Sequence, residues 1–240
     1  MENLAKIDVL LVTVTEVEAK AVINLVNEKF NQECVPNYDT VNVYYDLGMI
    51  GGAKTAMLRS QMGSGGPGGA TLTVNDAIQS LSPFAVIMVG IAFGVNPKKQ
   101  KIGDVLVSQQ VLDYNPQRVG TGKEGEQTRI SRGDKVSASP MLIQRFQHGQ
   151  LEWQGSKVEF GLLLSGGALV DNIDYRDQLR ELAPEAIGGE MEGVGLYSAA
   201  HRQQTHWILV KAICDWADGK KSRNKEKRQA QAASTHLCYH

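Results

Sequence analysis

FAVIMVGIA, residues 84–92, is short, almost wholly apolar and broken only by Gly90. A run this rich in Val and Ile, ending near glycine, reads as a strand buried on both faces. IDVLLVTV (7–14), VEFGLLLSG (158–166) and HWILVKAIC (206–214) have the same character. Between these runs lie EVEAKAVINLVNEKF (16–30), TLTVNDAIQSL (71–81), DYRDQLREL (174–182) and GVGLYSAAHRQQ (193–204). Their apolar residues recur at helical spacing, as in Val22, Leu25 and Val26 or Ala77, Ile78 and Leu81. Strands covered on both faces by helices predict an α/β protein, a three-layer α/β/α domain around a central mixed, mostly parallel sheet. Segments 31–48 and 97–137, with VNVYYDLG and GDVLVSQQVLDY, add strand-like pieces that suggest hairpin additions.

No shift in composition marks a second domain and no internal repeat is evident, so residues 1–240 are expected to form one domain. The last stretch, NKEKRQAQAASTHLCYH (224–240), is helix-like and stops without a Gly or Pro terminator. That pattern gives the expectation of a domain forming the N-terminal part of a longer protein. With 42% hydrophobic and 21% charged residues the composition is ordinary for a folded domain. A net charge of −1 supplies no global field for a nucleic-acid backbone, so no nucleic-acid partner is expected. No run approaches the roughly 18 apolar residues of a membrane span, and the N-terminus lacks a signal-peptide pattern. Cys34, Cys214 and Cys238 are too scattered for a disulfide framework, and the five histidines show no paired metal spacing. No membrane contact, no metal, no cofactor and a cytoplasmic location are the expectations.

Ligands of open parallel sheets bind outside the carboxyl ends of the strands. After the first run stand Glu16 and Glu18, after the second GIAFG (90–94), after the third SGGALVDN (165–172), after the last CDWADGKK (214–221). GGEMEGVG (188–195) places Glu190 and Glu192 around Met191. Several carboxylates among glycine-rich turns suit a reaction that protonates a leaving group and activates water, the division of labour in glycosidic cleavage. GSGGPGG (63–69) contains a literal G-x-G-x-x-G, but Asp76 comes too early and in a helix-like run, so the dinucleotide reading fails.

VTEVEAKAV, MVGIAFGV with IGDVLVS, GGEMEGVGLYSAA and VKAICDWAD resemble, in this order, the signature segments of the purine nucleoside phosphorylase and 5′-methylthioadenosine/S-adenosylhomocysteine nucleosidase superfamily. The likeness runs from about residue 7 to 235. It implies a nucleoside phosphorylase-like fold, with Asp215 as general acid to purine N7 and Glu192 on the ribose 2′- and 3′-hydroxyls. Met191 would pack on the sugar, and Glu18 would orient the attacking water. Glu190, Ile91, Ala92, Phe93, Leu169, Gly63 and Trp216 join the expected substrate-binding set. The resemblance also implies a homo-oligomer whose neighbour completes the pocket.

Bacterial phosphorylases of the superfamily carry an arginine just before the glycine of the segment matching MVGIAFG, where it grips phosphate. Met88 and Val89 stand there instead, so water is expected as nucleophile. The region RSQMGSGGPGGA resembles a sugar-bordering G-x-G turn but is longer and carries Arg59. A cationic glycine loop suggests a nucleotide phosphate subsite, with Lys98, Lys99, Lys101, Lys220, Lys221 and Arg223 in neighbouring loops. This pattern is similar to nucleosidase effectors of anti-phage defence, which release adenine from ATP and related nucleotides. The expected activity is therefore hydrolysis of an adenine nucleoside or nucleotide, of the ATP/AMP or methylthioadenosine type. The alternatives are a phosphate-dependent phosphorylase and a non-catalytic nucleotide-sensing module.

Overall fold

A computed structural model of the chain describes residues 6–38, 42–125, 127–220 and 225–237. The chain opens with β1 (Val9–Thr13), α1 (Glu16–Phe30), β2 (Val35–Tyr38), β3 (Val43–Ile50), β4 (Ala53–Arg59) and α2 (Ala70–Leu81). It continues through β5 (Ala85–Gly94), β6 (Val105–Asp113), β7 (Gln117–Thr121), β8 (Gln127–Ser131), β9 (Lys135–Ser137) and α3 (Pro140–Glu152). The last third holds β10 (Val158–Ser165), α4 (Ile173–Leu182), β11 (Ala186–Glu190), α5 (Gly193–Arg202), β12 (His206–Asp215) and α6 (Lys225–Leu237). None of the described helices is long and apolar enough to cross a membrane.

Among the described residues one large sheet runs β11-β10-β6-β12-β5-β1-β4-β3-β2, with β9 on β6. Period-two alternation sorts its side chains. Leu10 and Val12 pack with Val74, Ile78 and Leu196 of α2 and α5, whereas Leu11 packs with Val22 and Val26 of α1. On the α1 side, Cys214 and Ala212 meet Ala232 of α6. The three-layer α/β/α expectation is thus met, and the four long apolar runs are strands β1, β5, β10 and β12.

The sheet is more mixed than the mostly parallel one expected. Parallel pairings join β4, β1, β5 and β12, and likewise β6, β10 and β11, while β12 meets β6 antiparallel and β2, β3 and β4 form an antiparallel meander. Strand β11 also turns back onto β5, pairing Gly188 with Gly94 and Gly189 with Phe93, so five strands close into a ring. Glycine permits this approach, because a Cβ at Gly188 would lie 2.8 Å from the Phe93 carbonyl oxygen and one at Gly189 2.3 Å from the Phe93 ring. The closure draws the end of β11 over the ends of β5 and β12.

Helices α2 and α5 cross closely at Gly195, where a Cβ would stand 2.7 Å from the Thr71 backbone nitrogen and 2.8 Å from the Ala70 Cβ. Backbone cannot yield as a flexible side chain does. Gly195→Val is expected to destabilise the protein by about 1–3 kcal/mol through overpacking, read as a lower urea midpoint at unchanged m-value.

Candidate active site

The strand ends converge on a cavity of about 130 Å³ lined by Glu18, Met62, Ile91, Phe93, Glu192 and Asp215, among others. Its volume is below the roughly 300–1,000 Å³ of small-molecule sites, and Met62 and Leu169, each more than half exposed, stand on its lining. A larger apolar cleft of about 320 Å³ lies between α1 and α3, but Arg145 is its one charged lining residue. The carboxylates Glu18, Glu190, Glu192 and Asp215 all line the smaller cavity.

Glu18 sits at the third position of α1, where its local role is a capping box with Thr15. Its Oε2 accepts from the N–H groups of Val14 (2.9 Å) and Thr15 (2.7 Å), and its Oε1 accepts from Ile91 N–H at 3.0 Å. A carboxylate offers about four acceptor positions, so capping leaves roughly one free at the cavity. Gly90 makes room: a Cβ there would lie 2.7 Å from Glu18 Oε1 and 3.3 Å from Lys211 Nζ. Burial pushes the Glu18 carboxyl above its ordinary range, opposed by the positive charge of Lys211.

The GGEMEG segment ends β11 and starts α5. Glu190 accepts from the N–H groups of Glu192 (3.0 Å) and Gly193 (2.9 Å), so it caps the helix whose first residues follow it. Glu192 accepts from Gly63 N–H at 2.9 Å through Oε1, and its Oε2 lies 3.4 Å from Lys211 Nζ. Ser64 completes the bracket: its hydroxyl donates to the Met191 carbonyl at 3.1 Å and accepts from Gly195 N–H at 2.9 Å.

Lys211 was not anticipated as a site residue, although a charge inside the apolar run ILVKAIC was its visible signal. Its ammonium is 1% exposed, 3.3 Å from Glu190 Oε2 and 3.4 Å from Glu192 Oε2. Burial alone would push it down, but Glu190, Glu192 and Glu18 outweigh that and hold it above the ordinary lysine value. Burial likewise raises the Glu190 carboxyl, opposed by the charge of Lys211 and reinforced by the neighbouring Glu192 carboxylate.

Asp215 ends β12, buried at 3% exposure. Its Oδ1 accepts from Ala217 N–H at 2.9 Å, and the Cys214 thiol donates to Oδ2 at 3.2 Å. Ile91, Ala92, Met191 and Leu169 line the same cavity, and so do Cys214 and Gln229 of α6, which sequence reasoning missed. Among the described residues no cluster of His, Cys, Asp and Glu is placed to hold a metal ion.

Several of the expected features lie away from this cavity. Trp216 is not on the cavity lining; its partly buried ring lies against Gly94 and packs on the core cluster that includes Ile213. Arg59 lines a separate groove with Glu16, Lys20 and Asp76, outside the cavity. In the glycine loop the N–H groups of Gly63, Gly69, Ala70 and Thr71 are bonded to Glu192 and to carbonyls of Gly66, Gly63 and Ser64. Lys98, Lys99, Lys101 and Lys220 are exposed and off the lining, and Lys221 and Arg223 lie outside the described residues.

The model of the Phosphorylase superfamily matches residues 8–239, and the chain belongs to this family. A 5′-methylthioadenosine/S-adenosylhomocysteine nucleosidase from Neisseria meningitidis, solved with methylthio-immucillin-A, superposes with a TM-score of 0.77 at 20% identity, covering 97% of this chain and 96% of that one. Futalosine hydrolase of Helicobacter pylori superposes at 0.78 with 18% identity, covering 97% and 94%. These likenesses establish the nucleoside phosphorylase-like fold. A death domain-containing ATP nucleosidase of Amphimedon queenslandica is 28% identical over 257 residues, 96% of this chain and 48% of that protein. The chain thus spans about half the length of that relative. A 5′-methylthioadenosine/S-adenosylhomocysteine nucleosidase of Staphylococcus epidermidis is 28% identical over 165 residues, 68% of this chain and 71% of that enzyme.

Lys211→Met leaves three carboxylates buried without a cation and is expected to cost about 3–5 kcal/mol. The loss has a pH sign. Glu18 and Glu190 are already raised above 4.5 and rise further in the variant. Stability from such groups is full below the unfolded value and lost as pH rises through the folded one. Chemical denaturation should find the deficit smaller near pH 5 than near pH 8; a pH-independent deficit contradicts the shared-ammonium picture.

Proposed function

We propose that this chain is an N-glycosyl hydrolase that releases adenine from an adenine nucleoside or nucleotide, with water as nucleophile. One observation carries the reading: Glu18, Glu192 and Asp215, from three distant stretches, line a single cavity. In this mechanism Asp215 Oδ2 delivers a proton to N7 as the C1′–N9 bond breaks, and the base leaves neutral. Glu192 accepts hydrogen bonds from the ribose hydroxyls while the sugar becomes oxocarbenium-like. Glu18 orients a water for attack on C1′ and takes up its proton. Ile91, Ala92 and Phe93 form an apolar wall, and Met191 packs on the sugar.

Water is favoured over phosphate because Met88 and Val89, where a phosphate-gripping cation is needed, are fully buried core residues, and Glu18 adds negative charge. Nucleotides are favoured over alkylthio nucleosides by Gln229, a polar side chain brought to the lining by a helix that begins KEKR. A second copy of the chain would cover the exposed Met62 and Leu169 and complete a cavity too small for a whole nucleotide. The biological setting we infer, from the likeness to an ATP nucleosidase, is a cytoplasmic effector of antiviral defence that depletes nucleotides.

Chromatography after incubation with ATP, AMP, adenosine or methylthioadenosine, with and without phosphate, is the test. Free adenine without phosphate is expected. Strict dependence on phosphate would instead establish a phosphorylase. Asp215→Asn should lower kcat at least about a hundredfold with an unchanged melting curve, and full activity in that variant refutes the acid assignment.

A further inference from the structure

Arg176 is a buried charge that the proposed reaction leaves without a task. It lies on α4, outside the cavity lining, with its side chain 7% exposed. Its Nη1 donates to the Trp216 carbonyl at 2.9 Å, while Nε and Nη2 donate to Asp177 Oδ1 at 3.0 and 2.9 Å. The next residue, Ala217, is fully buried and holds φ of +50°, in the left-handed region that residues with a Cβ rarely adopt.

The Trp216 carbonyl and the Ala217 N–H belong to one planar peptide unit and point from its opposite edges. One edge is held by the Arg176 guanidinium, and the other donates to Asp215 Oδ1 at 2.9 Å. Turning this plane would carry the N–H away from Asp215 and break the hydrogen bond that holds Oδ1. A bond accepted at the carbonyl also polarises the amide and strengthens donation from its N–H. Asp171, just before the same helix, accepts from Gly219 N–H at 3.0 Å and clamps the far side of the turn.

We infer that Arg176 is a positioning residue for Asp215: through the Trp216–Ala217 peptide it fixes Oδ1 to the backbone and so sets the orientation of the whole carboxyl group at the cavity. The inference rests on the reading of Asp215 as general acid. It assigns a helix outside the pocket a part in leaving-group protonation and none in binding.

The test compares Arg176→Met, Arg176→Lys and Asp215→Asn on the adenine substrate that the wild-type chain hydrolyses and on 4-nitrophenyl β-D-riboside, whose phenolate departs without a proton. Arg176→Met should lower kcat for adenine release about tenfold or more, with KM changed less than threefold and nitrophenolate release held within about twofold. Arg176→Lys, which keeps the charge and one donor, should recover most of the kcat. If the riboside turns over too slowly to measure, the kcat-against-KM split and the lysine rescue decide. If Arg176→Met does not fold, Arg176→Lys must show a smaller loss confined to kcat for adenine release.

Unchanged adenine release in Arg176→Met, or equal losses on both substrates, overturns the inference. Asp215→Asn separates the two failures: activity retained there sinks the acid reading itself, whereas activity lost there but kept in Arg176→Met sinks only the positioning role.

Discussion

The ammonium of Lys211, in the middle of a strand and closed off from water, is what allows three acidic side chains to occupy one buried place. Glu18 comes from the first turn of α1, Glu190 from the end of β11 and Glu192 from the N-cap of α5. Without a shared cation their repulsion in a poorly screened interior would drive these elements apart. Lys211 reaches them because β12 runs centrally, between β5 and β6, and because Gly90 on the adjoining strand has no side chain to fill the space. The site and the fold are thus joined at one charge.

A second constraint acts through the backbone. The glycine loop after β4 has the composition of a phosphate-binding turn, yet such a turn needs free N–H groups converging on the ligand. Here the N–H groups of Gly63, Gly69, Ala70 and Thr71 are bonded within the protein, and the loop forms a bracket: Gly63 on Glu192, Ser64 on Met191 and Gly195. Glycine is needed where chain meets chain. The α2–α5 crossing at Gly195 places the loop and the EME segment within bonding distance, so sugar-facing residues are held by the same contacts that pack the helices.

What could be read from residues follows from what each signal encodes. Strands buried on both faces leave unbroken apolar runs, and Asp215, Glu192 and Glu18 were legible because they stand where those runs or their neighbours end. Strand β4 begins with Ala, Lys and Thr, β11 reads AIGGE, and α3 carries Gln, Arg and His among few apolar residues; none shows a clear period. Tertiary pairing makes those elements. Lys211 broke the pattern of its own strand and so had no place in a rule that seeks charges at strand ends. Trp216 and Arg59 lie off the cavity lining for a different reason: proximity in sequence to a strand end does not say which way the next side chain turns.

The charge balance of the cavity also bears on why cleavage would be favoured there. Glu18, Glu190 and Glu192 face a single ammonium, so the wall beside the sugar carries more capacity for negative charge than Lys211 can neutralise. A neutral nucleoside does not relieve that excess. An oxocarbenium-like sugar does, because its positive charge appears only as the base leaves, and it appears beside carboxylates already fixed by backbone N–H groups. In the proposed reaction the imbalance would work on the transition state more than on the bound substrate, which is the condition for electrostatics to raise kcat instead of merely tightening binding. At the other end of the cavity Asp215 accepts from the Cys214 thiol and the Ala217 N–H.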